Sequence, residues 1–226
     1  MQSMKWTVCA AALAAMVTIQ SCGDDAVDQA RKVVNQTNRE QLEFGGDPMP
    51  SPETIEAMKA VCQSSIAASN VRDWDTHLDT YLPDVFNGPD ARKGWLNMAH
   101  HYDSIGWYTE YSKLDIRSIS PLVPYDGGQC SVMNADIVQR VYFGEQFAGI
   151  KEQYSNMMEE RFGTRATVKW DPEIEEYTVT GREHFYAFLP DTSDAIYLLQ
   201  GRSLEEPYIS SKFELLDLRR LMSYRD

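Results

Sequence analysis

The sequence predicts an α+β domain, with N-terminal helices packed on a curved antiparallel sheet and an extra amphipathic helix near 145–162. Three observations predict it. Apolar residues recur every three or four positions between Ser51 and Ser104. Alternation, the period of a strand, takes over from Trp107. The helical period then returns at Phe147, Ile150, Tyr154, Met157, Met158 and Phe162, with Gly163 placed to end that helix. Helices first and antiparallel strands after them is the α+β order.

The elements follow in turn. Ser51 is a capping residue and Pro52 suits the first helical position, where no N–H is needed. Ile55, Met58, Cys62 and Ile66 then give one apolar face, and Asn70 ends the helix. A second helix is expected from Arg72 to Leu82, with Trp74, Leu78 and Tyr81 or Leu82 inward and Pro83 as its stop. A third, from about Ala91 to Ser104, is expected to bury Trp95, Met98, Ala99 and Tyr102 before Gly106. The stretch Trp107–Ile119 is β-rich, but its parity slips, as a bulge would cause. From Ser131 to Phe143 the residues Met133, Ala135, Ile137, Val141 and Phe143 share one face. Ala166, Val168 and Trp170 alternate in the next strand. Tyr177, Val179, Phe185, Ala187 and Leu189 then share a face, with Thr178, Arg182, His184, Tyr186 and Phe188 on the other. A hairpin loop over 190–194 leads to a returning strand, 195–200. Near the C-terminus, Ser211 to Glu214 fits a capping box, and Leu215, Leu218 and Met222 form a helical stripe.

Composition supports one domain with a real core. The chain has 226 residues, of which 43% are hydrophobic and 11% aromatic. Lys plus Arg number 21 against 34 Asp plus Glu, a formal charge of −13. That balance excludes the basic footprint of a nucleic-acid binder and charge-driven binding to anionic lipid.

The N-terminus differs from the rest. Lys5 is followed by an apolar run from Trp6 to Ile19. A bilayer-spanning helix needs about 20 residues, so this run is too short to span and instead has the form of a secretory signal. Ile19-Gln20-Ser21-Cys22 resembles the lipobox of Gram-negative bacterial lipoproteins. The resemblance implies cleavage before Cys22 and acylation of Cys22, so that residues 1–21 are a signal peptide and 22–50 a lipidated tether. Gly23 after the cysteine implies the outer membrane. The folded domain is then 51–226. The break at Gly45-Gly46-Asp47-Pro48-Met49-Pro50 marks the end of the tether.

Cys62 and Cys130 remain after Cys9 and Cys22 are set aside. An oxidising compartment permits a bridge between them, closing a loop of about 70 residues worth about 4 kcal/mol. The helical spacing of Cys62 with Met58 and Ile66 supports two separate buried thiols instead.

The segment Asn70-Val71-Arg72-Asp73-Trp74-Asp75, with Leu78 and Tyr81-Leu82-Pro83-Asp84-Val85-Phe86, resembles the first-helix junction of the SnoaL-like, ketosteroid-isomerase-like superfamily. The resemblance implies a cone in which helices cover a bent sheet around a hydrophobic pocket. In isomerase-type members a pocket carboxylate is the base and a Tyr or protonated Asp the oxyanion donor. Asp103 with Tyr102 or His101 is the pairing this chain offers for those roles, although no motif fixes them in a pocket and a solvated helix end is the favoured reading.

Other motifs carry little chemistry. His100 and His101 are adjacent and point about 100° apart on a helix, and no HExxH occurs, so no metal and no cofactor are expected. Asp73, Asp75 and Asp79 lack the glycine and closing Glu of a calcium loop. Trp107, Tyr108, His184, Tyr186 and Phe188 are the candidate pocket lining, a mixed polar and aromatic set that is either a pocket wall or the solvent side of a sheet. The sequence thus leads to an envelope-anchored lipoprotein with a non-catalytic domain that binds a small apolar ligand or an envelope protein. The alternative is a small pocket enzyme of isomerase, cyclase or dehydratase type.

The anchor is directly testable. Cells fed an alkyne-tagged fatty acid should label the wild-type chain, and Cys22→Ser should lose the label; label that persists in the variant removes the lipid from Cys22.

Overall fold

The computed structural model describes residues 47–86, 88–144, 156, 166–173, 176–200 and 206–225. The chain divides into two compact units between Gly45 and Gly46, and the described residues belong to the second. The expected signal peptide, Cys22, most of the expected tether and nearly all of the expected 145–162 helix lie outside the described residues.

The domain begins a few residues before Ser51. Asp47 Oδ1 pairs with Arg220 at 2.9 Å, and Tyr224 donates to Asp47 Oδ2 at 3.2 Å. Leu122 N–H donates to the carbonyl of Pro48 at 2.9 Å, and Pro50 is buried. The proline and glycine run signalled a hinge, yet its second half is fastened by these bonds.

Helix α1 spans Pro52–Asn70, and the Ser51 hydroxyl accepts from Thr54 N–H at 3.2 Å as the cap. Met58, Cys62, Ser65, Ile66 and Ala68 are its buried residues. Helix α2, Trp74–Asp79, is shorter than expected, because the Asp73 carboxylate accepts from Thr76 N–H and so becomes the cap. Tyr81 and Leu82 are buried beyond its end, just before a 3₁₀ turn over Pro83–Val85. Helix α3, Pro89–Ser104, corrects the expected apolar face: it buries no residue, and Trp95 and Met98 are exposed. Ala91 and Leu96 are partly buried against the core, and the exposed Trp95 meets the buried Phe86 edge-on at 6.3 Å. Arg92 of this helix reaches Asp75 at 3.1 Å and Asp79 at 2.6 Å, which offsets the like-charge repulsion along α2.

The strands are β1 Trp107–Ile119, β2 Val123–Tyr125, β3 Gly128–Phe143, β4 Ala166–Asp171, β5 Glu176–Pro190 and β6 Tyr197–Gln200. They form a six-stranded sheet in the order β1-β3-β5-β4, with β2 added to β3 and β6 to β5. All the strand pairs are antiparallel. The parity slip in β1 is real: register shifts fall between Tyr111 and Lys113 and between Ile116 and Ser118. Helix α4, Glu206–Ser211, and helix α5, Leu215–Ser223, close the chain. The C-terminal segment is helical as expected, but the capping box is not formed. The Ser211 hydroxyl donates to the carbonyl of Tyr208 at 2.7 Å, and Glu214 caps α5 without a side-chain bond. Leu215 is 62% exposed, and Leu221 is the buried residue of the helix.

The sheet is covered on both faces. Met133, Ala135 and Ile137 of β3 and Phe185 and Ala187 of β5 meet Met58, Cys62 and Ile66 of α1. Farther along this face Val141 and Phe143 meet Tyr177 and Val179. On the other face Cys130, Val132, Tyr186 and Phe188 pack with Leu199, Ile209, Phe213 and Leu221. Successive strand residues point to opposite faces. The possible Cys62–Cys130 disulfide is therefore corrected: both thiols are free and buried, and they serve the cores on opposite sides of the sheet.

Burial lifts the Cys62 thiol to about 12, with the Glu183 carboxylate adding to the effect, and burial alone raises Cys130 well above the ordinary thiol value. Both are protonated at neutral pH and unreactive. Iodoacetamide at pH 8 should leave both unmodified in the native protein. In denaturant without reductant both should alkylate by mass spectrometry; a mass two hydrogens lower that resists alkylation would establish the bridge.

Candidate functional site

The five residues expected to line a pocket do not converge. His184, Tyr186 and Phe188 are core: they are 3%, 0% and 0% exposed. His184 Nδ1 lies 2.7 Å from Asn134 Oδ1, and the Asn134 amide donates to the carbonyl of Tyr224 at 2.9 Å. Arg225 lies over the Tyr186 ring at 5.2 Å and donates to its hydroxyl. The face was read as pocket wall or solvent side; α5 and the residues after it cover its end, while Thr180 and Arg182 on the same face stay open to solvent. Trp107 packs between Tyr102 at 4.7 Å and Phe143 at 5.0 Å. Tyr108 lines an open cleft.

A polar cluster that the sequence reading missed lies inside the domain. Tyr111 O–H donates to Glu183 Oε2 at 3.0 Å, and both residues are 7% exposed. Gln200 Nε2 donates to the Tyr111 hydroxyl at 3.0 Å. Gln139, cross-strand partner of Tyr111 and Val179, is fully buried, and neither atom of its amide has a hydrogen-bond partner among the described residues. The signal was present in the sequence. Glu183 and Gln139 fall on the parity of the apolar faces of their strands, where a polar residue is costly unless it is used.

The cleft lies where α1 ends against β1. Asp73 N–H bonds to Ala68 carbonyl at 2.9 Å and Arg72 N–H to Ser69 carbonyl at 3.1 Å. These two bonds are the Schellman closure of a helix, and its left-handed position normally belongs to glycine. Here Arg72 occupies it, at φ 62°. The turn swings the arginine across to β1, where its guanidinium stacks 4.9 Å from the centre of the Tyr108 ring. Arg72 Nε faces Asp103 Oδ1 at 3.5 Å, and Trp74 Nε1 donates to Asp103 Oδ2 at 2.6 Å. Asp103 thus acts as counter-ion and indole acceptor. Tyr102 stacks on Trp107 and His101 is exposed, so the acid–base pairing expected with Asp103 is not assembled.

Opposite Arg72 the charges alternate. Tyr108 O–H donates to Glu176 Oε1 at 2.9 Å. Arg140 pairs with Glu110 at 2.5 Å and with Glu176 at 3.8 Å. Burial and the adjacent Glu176 raise the Tyr108 phenol, so it stays an O–H donor at neutral pH. Ser69, Asn70, Arg72, Trp74, Tyr108, Thr109 and Glu110 enclose about 140 Å³. Chemically the lining is a guanidinium on an aromatic platform, with hydroxyl and amide groups around it. Among the described residues no group of three or more His, Cys, Asp or Glu is arranged to hold a metal ion.

Two sets of variants separate these roles. Arg72→Gly and Arg72→Ala both remove the guanidinium, but only Ala keeps a side chain in the left-handed turn. Arg72→Gly should therefore be more stable than Arg72→Ala by about 1 kcal/mol in urea titration; equal midpoints would contradict the turn. Phe188→Ala should cost about 3–5 kcal/mol, as a core truncation does. A loss under 1 kcal/mol would return Phe188 to a pocket wall.

No family model, no curated protein and no solved structure matches this chain.

Proposed function

We propose that the chain is an envelope lipoprotein, held at the outer membrane by acylated Cys22, whose folded part is a non-catalytic binding domain with its site in the Arg72 cleft. The observation that carries the binding reading is Arg72 itself. A charged residue is kept in a backbone state that costs about 1–2 kcal/mol, and its guanidinium stands over Tyr108 in an open cleft. Strain retained beside a cleft is a mark of use. The ligand proposed is polar, in place of the small apolar one expected from the sequence, since the lining includes arginine, glutamate, hydroxyls and amide.

The fold proposed with this function is a curved sheet with α1 over its concave side, in line with the SnoaL-like resemblance. Two observations support the curvature. β1 carries two register shifts. Tyr111 of β1 reaches Glu183 of β5 and Gln200 of β6, although β3 separates β1 from both.

The same cluster favours a second reading, a pocket enzyme of isomerase, cyclase or dehydratase type, because a carboxylate stands beside a tyrosine in a nearly dry interior. We rank it lower because Tyr111 donates to Glu183 itself, so the base and the oxyanion donor of such a mechanism occupy each other.

A thermal-shift panel of amino acids, dicarboxylates, sugars, nucleotides and short peptides tests the binding reading on the full chain in detergent. At least one compound should raise the melting temperature of the wild type and leave that of Arg72→Ala unchanged. A panel that moves neither protein, or hits indifferent to Arg72, would overturn it.

A further inference from the structure

We propose that the cleft captures the free C-terminal end of an extended peptide, with the α-carboxylate on the Arg72 guanidinium and the last backbone amide paired to Thr109 on the outer edge of β1. The inference rests on the cleft reading and names its ligand.

The edge of β1 supplies the first half. Among the described residues β1 pairs with β3 alone and so ends the main sheet. The Asn70 side chain donates from Nδ2 to the Tyr111 carbonyl and accepts at Oδ1 from Tyr111 N–H, both at 2.8 Å. Both backbone groups of Tyr111 therefore point away from β3. In an antiparallel ladder every second residue points the same way. The register runs unbroken through Thr109↔Val141, Glu110↔Arg140 and Tyr111↔Gln139, so the N–H and C=O of Thr109 also face outward. Thr109 lines the cleft beside Asn70 and Arg72. Asn70 thus imitates one residue of a missing neighbour strand at Tyr111, and the position before it stands open.

The same amide decides where an added strand must stop. A peptide lying along β1 past Thr109 would run into Asn70, so the cleft accepts a chain end and not a through-running segment. The sign of that end follows from Arg72. Its Nε faces Asp103, while neither Nη atom has a partner among the described residues. Two parallel N–H donors fit a carboxylate, and they repel the ammonium of an N-terminus. The volume of about 140 Å³ suits a single small residue with its carboxylate. Recognition thereby combines strand addition with capture of a C-terminal carboxylate.

The probes are a pool of N-acetylated tripeptides with free carboxylates and the same pool as C-terminal amides, titrated into the full chain in detergent by calorimetry. The acids should bind, and the amides should bind at least tenfold more weakly. Arg72→Gly, which relieves the turn while removing the guanidinium, should also lose at least tenfold. Hydrogen exchange at the Thr109 amide should slow in the presence of the acid pool. Equal binding of acids and amides, or no protection at Thr109, would overturn the proposal. If neither pool binds while another compound gives an Arg72-dependent thermal shift, the peptide is wrong and the cleft reading survives. If nothing binds in either experiment, both fall.

Discussion

Everything in this domain depends on the pairing of β3 with β5. The two strands run antiparallel in unbroken register from Gly128↔Pro190 to Val141↔Tyr177. A strand presents its side chains alternately to two faces, so a pair this long is stable only if both faces are covered. That requirement recruits α1 to one side and the C-terminal helices to the other. It also explains why Gly128 must stay glycine. A Cβ there would stand 2.2 Å from the carbonyl oxygen of Leu189, inside the ladder itself. The turn before β3 can close only because that position has no side chain.

The sequence revealed the fold where each element has one buried face. α1 has a capping serine, a first-turn proline and a single stripe, and it spans the expected residues. Parity in β3 marked Met133, Ala135, Ile137, Val141 and Phe143, all of which are buried. The bulged strand was visible as a slipped parity. The reading failed where burial depends on partners far away in the chain. α3 has an aromatic stripe, yet the core it meets takes in Leu96 and leaves Trp95 exposed, meeting Phe86 edge-on. His184, Tyr186 and Phe188 resembled an outward face, because the helix that covers them comes some thirty residues later.

The site was less legible, for two physical reasons. Its central residue acts through an unusual backbone state, which no local pattern announces: an arginine after a helix end reads as a solvated charge. Its other half is main chain, and the outward N–H and C=O of Thr109 belong to whatever residue stands there. Tyr108 was singled out in advance on aromatic character, and Asp103 as a candidate base, whereas Asp103 is the counter-ion of Arg72. Glu183 and Gln139 were visible as polar residues on apolar parity, and weighing parity against polarity is the rule that finds them.

The Asn70 amide has a further consequence for life at a surface. Lipid anchoring would hold many copies in one plane, at a local concentration far above that in solution. Exposed strand edges under such crowding zip into intermolecular ribbons. In this chain the two bonds from Asn70 to Tyr111 seal the edge two residues beyond Thr109, and register shifts interrupt the ladder after it. The open position at Thr109 is thereby cut off from the rest of the edge: it is enough to hold the tip of a peptide and too little to start a ribbon by itself.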